Sequence, residues 1–398
     1  MYAVLLCASP GKPVLHKIKI TRNGGMYMKK YISLFLTLAM LFGLGGVLNG
    51  CSPSPAYRIG IITGSVLQEE EEYLTAEAMQ EKYGDMVVTA TYPDNFDKEQ
   101  LLEISTSMAA DPTVKAIIWV QAVEGTAEAI RKIRETRDDI LCIAGVCSDT
   151  PDAIAEAADI CLQVDELAMG TTIIDQAYAM GAMTFIHISF DRHLEYSTIS
   201  ARRDLLEENC RRLGITYVKA TAPDPIGEAG VEGAQAWITE NIAAYVEQYG
   251  KDTAFFSTNC SLQAPLILQC ARLGAIYPQQ CCPSPYHGYP DAFGISTEGH
   301  EGDVSYILEQ ISAKVAEYGN SGRMSTWEVP VNSMILEAGF HYAWKWAEGR
   351  ISARCDEAAL TEEIRRLAGN TATISRYYDS TAGELANYFL ILCPFYNF

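Results

Sequence analysis

Polar and ionisable residues collect where apolar runs stop. The sharpest group is Phe190-Asp191-Arg192-His193, which directly follows the run Thr184–Ser189. An arginine and a histidine beside an aspartate can bind a carboxylate or hydroxyl, or can form an ion pair that fixes the turn. Asp224 precedes Pro225 after the next run, where it accepts from a ligand or caps a turn. Ser65 and Gln68 have capping-box spacing, so the Ser65 hydroxyl serves backbone amides or a ligand. Asp165 has the same double reading. Gln121, Ser148 and Asn259 also stand just past apolar runs. The run Glu69–Glu72 falls in the first turn of an expected helix, where negative charge is favourable and an anionic ligand is repelled. The stretch Cys281–Pro290 (CCPSPYHGYP) is either a stiff loop presenting aromatic faces such as Tyr289, or a rigid packed connection.

No catalytic motif joins these residues. GxSxG, GxxxxGK[ST] and HExxH are missing, and His300-Glu301 lacks a second ligand at helical spacing. There is no CxxC, and no Cys/His run has zinc-site spacing. The reading is therefore no enzyme, no cofactor and no metal. Of twelve cysteines, Cys142 and Cys161 lie inside apolar runs and act there as small hydrophobes, and mostly free thiols are expected.

A chain of 398 residues, 48% hydrophobic, exceeds one hydrophobic core and implies two domains. Its 30 basic and 50 acidic residues disfavour nucleic acid as a partner.

The first fifty residues hold six basic and no acidic side chains. Lys29-Lys30 precede the apolar run Tyr31–Leu48, and Cys51 follows. That pattern reads as an export leader over 1–50, with Met26 or Met28 as the true start. Residues 51–56 then form a linker. A retained membrane helix is the rival reading.

From Tyr57 short apolar runs alternate with longer amphipathic ones, the pattern of βα units and parallel sheets. The alternation restarts near Thr184, which predicts an α/β protein of two doubly wound parallel-sheet lobes. Lobe 1 is expected over 57–165 plus roughly 301–398, and lobe 2 over 166–300. Linking segments are expected near Asp165–Met180, Gly294–Gly302 and Ser325–Asn332. Ala292–Ser296 and Trp327–Val331 read as strands. In such sheets a ligand sits beyond the carboxyl ends of the strands, which is where the polar residues above fall.

A leader ending in Cys51 followed by two βα lobes is similar to type I periplasmic-binding proteins. The motifs SFDRH (Ser189–His193), ARRDLLEENC (Ala201–Cys210) and CCPSPYHGYP resemble a family of bacterial surface lipoproteins catalogued as a domain of unknown function. The resemblance implies lipid on Cys51, a location on the outer face of the cytoplasmic membrane or in the periplasm, and a multi-segment hinge that closes both lobes on a small polar solute. It also implies a permease or sensor as partner. Ser65, Gln121, Ser148, Asp165, Arg192, His193, Asp224, Asn259 and Tyr289 are then the expected ligand contacts. A surface enzyme on the same fold and a ligand-free envelope interaction module stay open beside it.

Overall fold

The computed structural model describes residues 56–65, 70–92, 97–300, 302–379 and 383–398. The leader, Cys51, Gln68 and Glu301 lie outside the described residues. The chain begins with β1 (Arg58–Thr63), α1 (Glu70–Tyr83), β2 (Val87–Thr91), α2 (Lys98–Ala110), β3 (Val114–Trp119) and α3 (Thr126–Arg134). Then come β4 (Leu141–Gly145), α4 (Pro151–Ala157), β5 (Ile160–Val164) and α5 (Met169–Ala179). Next are β6 (Thr184–Ser189), α6 (Asp191–Leu194), α7 (Ser197–Leu213), β7 (Thr216–Thr221), α8 (Gly230–Tyr249), β8 (Thr253–Ser257) and α9 (Gln263–Leu273). The last third holds α10 (Tyr289–Phe293), α11 (Val304–Glu317), β9 (Ser325–Trp327), α12 (Val331–Ala347) and α13 (Glu357–Ala368). The final strands are β10 (Thr373–Asp379), β11 (Gly383–Leu392) and β12 (Phe395–Asn397).

Two main sheets result. The first has the order β10-β11-β5-β4-β3-β1-β2, parallel except where β10 runs antiparallel to β11. The second has the order β7-β6-β8, all parallel, and isolated bridges Ala254–Ile276 and Tyr277–Met324 continue it. β4 and β6 are buried along their whole length, as strands covered on both faces must be. Strand order turns back between β1 and β3 in one sheet and between β6 and β8 in the other, which marks two switch points where a doubly wound sheet binds ligands.

Glycine decides one helix contact. A Cβ on Gly170 would stand 2.7 Å from the Leu205 Cβ and 2.9 Å from the Arg202 carbonyl, so α5 and α7 approach this closely only because residue 170 has no side chain. Helix α12 packs against β1, β3, β4 and β5 and carries Met334, Ile335, Ala338 and Phe340 into the core shared with Ile59, Ile118 and Ile143.

Some sequence expectations change. Ala292–Ser296 is no strand: Gly288 takes φ +79°, Pro290 opens the first turn of α10, and Tyr289 and Phe293 bury one turn apart. The extended segment here is instead Ile276–Tyr277, which bridges to Ala254 and Met324. The strand near Trp327 ends at that residue, and Pro330 starts α12. Val304–Glu317 buries Ile307, Ile311 and Val315 with Ile186 and Phe255 of the second sheet, so the chain does not cross between sheets at Gly294–Gly302. It crosses after β5, before α12 and between β11 and β12.

Candidate functional site

At the edge of the second sheet the turn after β6 is tied to the turn after β7. Arg192 donates from Nε to Asp224 Oδ2 (2.8 Å) and from Nη2 to Oδ1 (2.9 Å). This fork-to-fork pair is the turn-fixing geometry, and the Ile226 amide adds a third hydrogen bond to Asp224 at 3.0 Å. The Arg192 hydrogen bonds hold the Asp224 carboxyl below its usual range, and Asp224 in turn raises Arg192. His193 Nδ1 lies 3.1 Å from Thr258 Oγ1, itself 2.9 Å from Ser189 Oγ, so three polar side chains join the ends of β6 and β8. Burial first, then Arg192, lowers the His193 pKa. Asn259 Oδ1 accepts from the Ser261 amide (3.0 Å) and hydroxyl (2.6 Å), capping the short turn Cys260–Leu262.

The first sheet's edge is strained. Gln121 follows β3 with φ +61°, and Val146 follows β4 with φ +49°. A left-handed conformation is costly for a residue with a side chain, most of all a β-branched one, and such strain gathers at working sites. Gln121 Nε2 donates to Glu72 Oε1 at 3.3 Å, and Asn332 Nδ2 donates to the same oxygen at 2.6 Å. The Tyr92 hydroxyl donates to the Gln121 carbonyl at 3.4 Å. Ser65 is half-buried two residues past β1. Ser148 is exposed, and its amide donates to the Ala122 carbonyl at 2.8 Å. Asp165 Oδ1 accepts from the Ala168 amide at 2.9 Å, the capping role.

Residues that the sequence left aside link the two sides. Glu71 accepts from Ser284 Oγ at 2.7 Å and from Ser333 Oγ at 3.4 Å. Burial, then repulsion from Glu72, pushes its carboxyl up to about 7, while Ser284 and His287 oppose that rise. Burial also raises the Glu166 carboxyl, with Arg202 opposing and Cys282 adding to the rise. Arg202 is buried over the Phe256 ring, and its Nε finds no hydrogen-bond partner among the described residues. A buried donor without an acceptor is a place for a ligand atom or water. Tyr289, by contrast, is fully buried and donates to the Ser325 carbonyl at 2.9 Å. It packs edge-on against Tyr277 and Phe398, so it is a core anchor rather than a cleft contact, and its loop is the packed connection.

From Glu71 a cavity of about 990 Å³ opens between α1, α12 and the segments 286–308 and 366–369. Thr75, Lys82, Asp291, Glu328, Glu337 and His341 bring charge and hydroxyl to its wall. Burial raises the Glu337 carboxyl and lowers the His341 imidazole. None of the nine residues expected as ligand contacts lines this cavity. Those nine stand at or near strand ends, apart from Tyr289, whereas the open volume lies along the helices beside the crossing at 328–330. The signal for Glu71 and Glu72 was their acidic run at the start of a helix, which reads equally as a favourable helix dipole.

None of the ten described cysteines forms a disulfide. Burial pushes the Cys142 thiol up to about 12, which makes it inert as a nucleophile at neutral pH. Among the described residues no helix is long and apolar enough to cross a membrane.

Comparisons with known proteins agree with this fold. A crystal structure from Clostridium difficile 630, described as a candidate transcriptional regulator, superposes with a TM-score of 0.78 at 21% identity, over 86% of this chain and 99% of that one. A sugar ABC transporter structure from Actinomyces odontolyticus ATCC 17982 superposes with a TM-score of 0.51 at 10% identity, over 75% of this chain and 86% of that one. At such identities the likeness is one of fold, and the fold is the two-lobed periplasmic-binding-protein type. In Treponema pallidum (strain Nichols), one protein described as uncharacterized is 30% identical over 218 residues, covering 55% of this chain and 99% of its own length. Another from the same organism is 34% identical over 180 residues, covering 43% of this chain and 81% of its own. The family model for a protein of unknown function, DUF3798, matches residues 57–325, and the chain belongs to that family.

Proposed function

We propose that the protein is a membrane-tethered extracytoplasmic solute-binding protein whose two lobes close on a small polar ligand for uptake or sensing. The observation that carries this reading is the cavity of about 990 Å³ bounded by helices of the first sheet and by the 286–308 segment of the second. Its size falls in the range of small-molecule sites, and a ligand touching both walls favours the closed form by its differential affinity. The wall sets the carboxyl groups of Glu71, Asp291, Glu328 and Glu337 against the cations Lys82 and Arg366, a mixed polar lining that suits a hydroxyl-rich solute. The Actinomyces odontolyticus neighbour, described as a sugar ABC transporter, is in keeping with a hydroxyl-rich solute. The tether rests on the sequence: Lys29-Lys30, the apolar run Tyr31–Leu48 and Cys51. A permease or sensor protein would then read the closed shape.

The test is native mass spectrometry of protein purified without refolding, followed by mild unfolding. One small molecule released per chain, and a rise in melting temperature on adding it back, is the expected result. A protein that releases nothing and is shifted by no solute in a metabolite screen overturns the reading. Product formation from the released molecule would turn it towards an enzyme. For the tether, Cys51→Ala should move the protein from the membrane fraction to the soluble one.

A further inference from the structure

A cysteine after β8 meets three residues of the 281–287 loop beside the cleft. The ligand atoms of Cys260, Cys281, Cys282 and His287 all lie within 4.8 Å of one another. Cys260 follows β8 in the short capped turn, and the other three belong to the loop that follows the Ile276–Tyr277 bridge. The Cys260 Sγ stands 3.4 Å from that of Cys281 and 3.7 Å from that of Cys282. In a tetrahedral zinc–thiolate site, Zn–S bonds of about 2.3 Å place neighbouring sulfurs roughly 3.8 Å apart. The Cys260 sulfur stands within about 0.4 Å of that spacing from both of these neighbours.

The imidazole is set for the same purpose. His287 Nδ1 lies 2.7 Å from the Cys282 carbonyl, which can only accept, so the proton sits on Nδ1 and the lone pair on Nε2. A hydrogen bond of this kind, holding the ring's orientation and tautomer, is the usual support of a metal-ligating histidine. The loop is fixed from beneath as well. The buried Gln280 donates through Nε2 to the Ser284 carbonyl (2.8 Å) and the His287 carbonyl (2.9 Å), and accepts from Thr326 Oγ1 at 2.8 Å. Asn259 holds the Cys260 turn through Ser261. The donor geometry is therefore imposed by the protein.

Access and selectivity follow from burial and donor type. Cys260 and Cys282 are exposed, His287 is half-buried and Cys281 is buried, so one side of the cluster is open to an incoming ion. Three thiols and an imidazole are soft and borderline donors, which select zinc-like cations over magnesium or calcium.

We propose that Cys260, Cys281, Cys282 and His287 bind one thiophilic divalent cation, zinc in the first instance, in a closed four-coordinate site. The cysteines bind as thiolates and release their protons to solvent as the ion enters. The ion would clamp the 281–287 loop to the turn after β8. It thereby fixes Ser284, the residue that meets Glu71 across the cleft.

The experiment uses the full chain purified anaerobically with reductant, stripped by a chelator and titrated with Zn(II) against a chromophoric competitor. Co(II) serves as a spectroscopic stand-in. One equivalent of Zn(II) per chain is expected, together with the thiolate charge-transfer and tetrahedral d–d bands of Co(II). Cys260→Ser and Cys282→Ser should each weaken zinc binding by more than about 100-fold, beyond the range of outer-shell changes. Cys355→Ser, at a half-buried thiol outside the cluster, should leave stoichiometry and affinity unchanged. Circular dichroism of each variant separates lost folding from lost ligation, and the Co(II) bands report thiolate coordination in the parent chain. Reduced parent protein that binds no zinc overturns the proposal, as does binding that survives both serine variants. A Cys260–Cys281 or Cys260–Cys282 disulfide that forms while the reduced protein ignores zinc also overturns it.

Discussion

Glu71 and Ser284, 213 residues apart in the chain, share a 2.7 Å hydrogen bond. The contact joins the first turn of α1 to the proline-stiffened loop of the second sheet, and the cavity begins at that carboxylate. A carboxylate held half-buried beside a second one is a sensitive place for a change of charge.

Glu71 should make stability fall as pH rises. Its folded pKa of about 7 lies above the ordinary 4.5, so the folded state binds more protons than the unfolded one in that window. The contribution is intact below pH 4.5 and is lost as pH climbs through 7, with Glu72 and His287 the charged groups facing it. Glu71→Gln keeps the acceptor for Ser284 and removes the charge. Urea melts should show the variant more stable than the parent by about 1–3 kcal/mol at pH 8 and little different at pH 4.5. Equal stability of the two proteins at both pH values would contradict this account.

Gln121 trades stability for its position. Its φ of +61° suits glycine, so Gln121→Gly relieves about 1 kcal/mol of backbone strain. The same change removes one of the two side-chain donors to the buried Glu72 carboxylate, at about 1–3 kcal/mol, so a net loss of stability is expected while solute affinity holds, because Gln121 does not line the cavity. Calorimetry on both proteins decides the matter. A marked loss of affinity would place Gln121 among the solute contacts.

Gly170 is the close-approach point of α5 and α7. Gly170→Val must push Leu205 and the Arg202 backbone aside, at a cost of about 2 kcal/mol or more. Because Arg202 moves with that backbone, the change should also disturb the Glu166 environment. A chemical melt indistinguishable from that of the parent would rule out tight packing there.

Tyr289→Phe tests whether the loop's aromatic residue is structural. Loss of the hydroxyl leaves the Ser325 carbonyl buried with one fewer donor, and a cost of about 1–2 kcal/mol is expected with no change in solute affinity. A selective loss of affinity would return Tyr289 to the cleft.

The alternation of buried runs made the sheets legible: β5 and β6 have the bounds that their apolar runs mark out. Strand ends, and so the switch-point residues Gln121, His193 and Asn259, could be placed for the same reason. Their roles could not. Whether Arg192 meets a ligand or Asp224 depends on two turns about thirty residues apart, and no periodicity encodes that distance. The cysteine cluster was hidden for a related reason. Cys260 lies twenty-one residues before Cys281 with no second cysteine or histidine beside it to form a CxxC half-site, and the path through α9 and the 276–277 bridge brings them together. A helix such as Tyr289–Phe293 leaves no mark in the sequence because five residues are too few to show a helical period.

The order in which the strands are made sets the timing of folding. β5 pairs with β11, and between the end of one and the start of the other the chain builds the whole second sheet. β12 then returns to pair with β9, and Phe398 exchanges backbone hydrogen bonds with Gly322 and Met324. During vectorial synthesis β5 therefore stays an open flank until residues 383–392 emerge, and its pairing carries the loop-closure entropy of a long intervening chain. Completion of the first sheet is a late kinetic event, and a nascent chain halted before β11 would expose the apolar strand Ile160–Val164 to whatever meets it first.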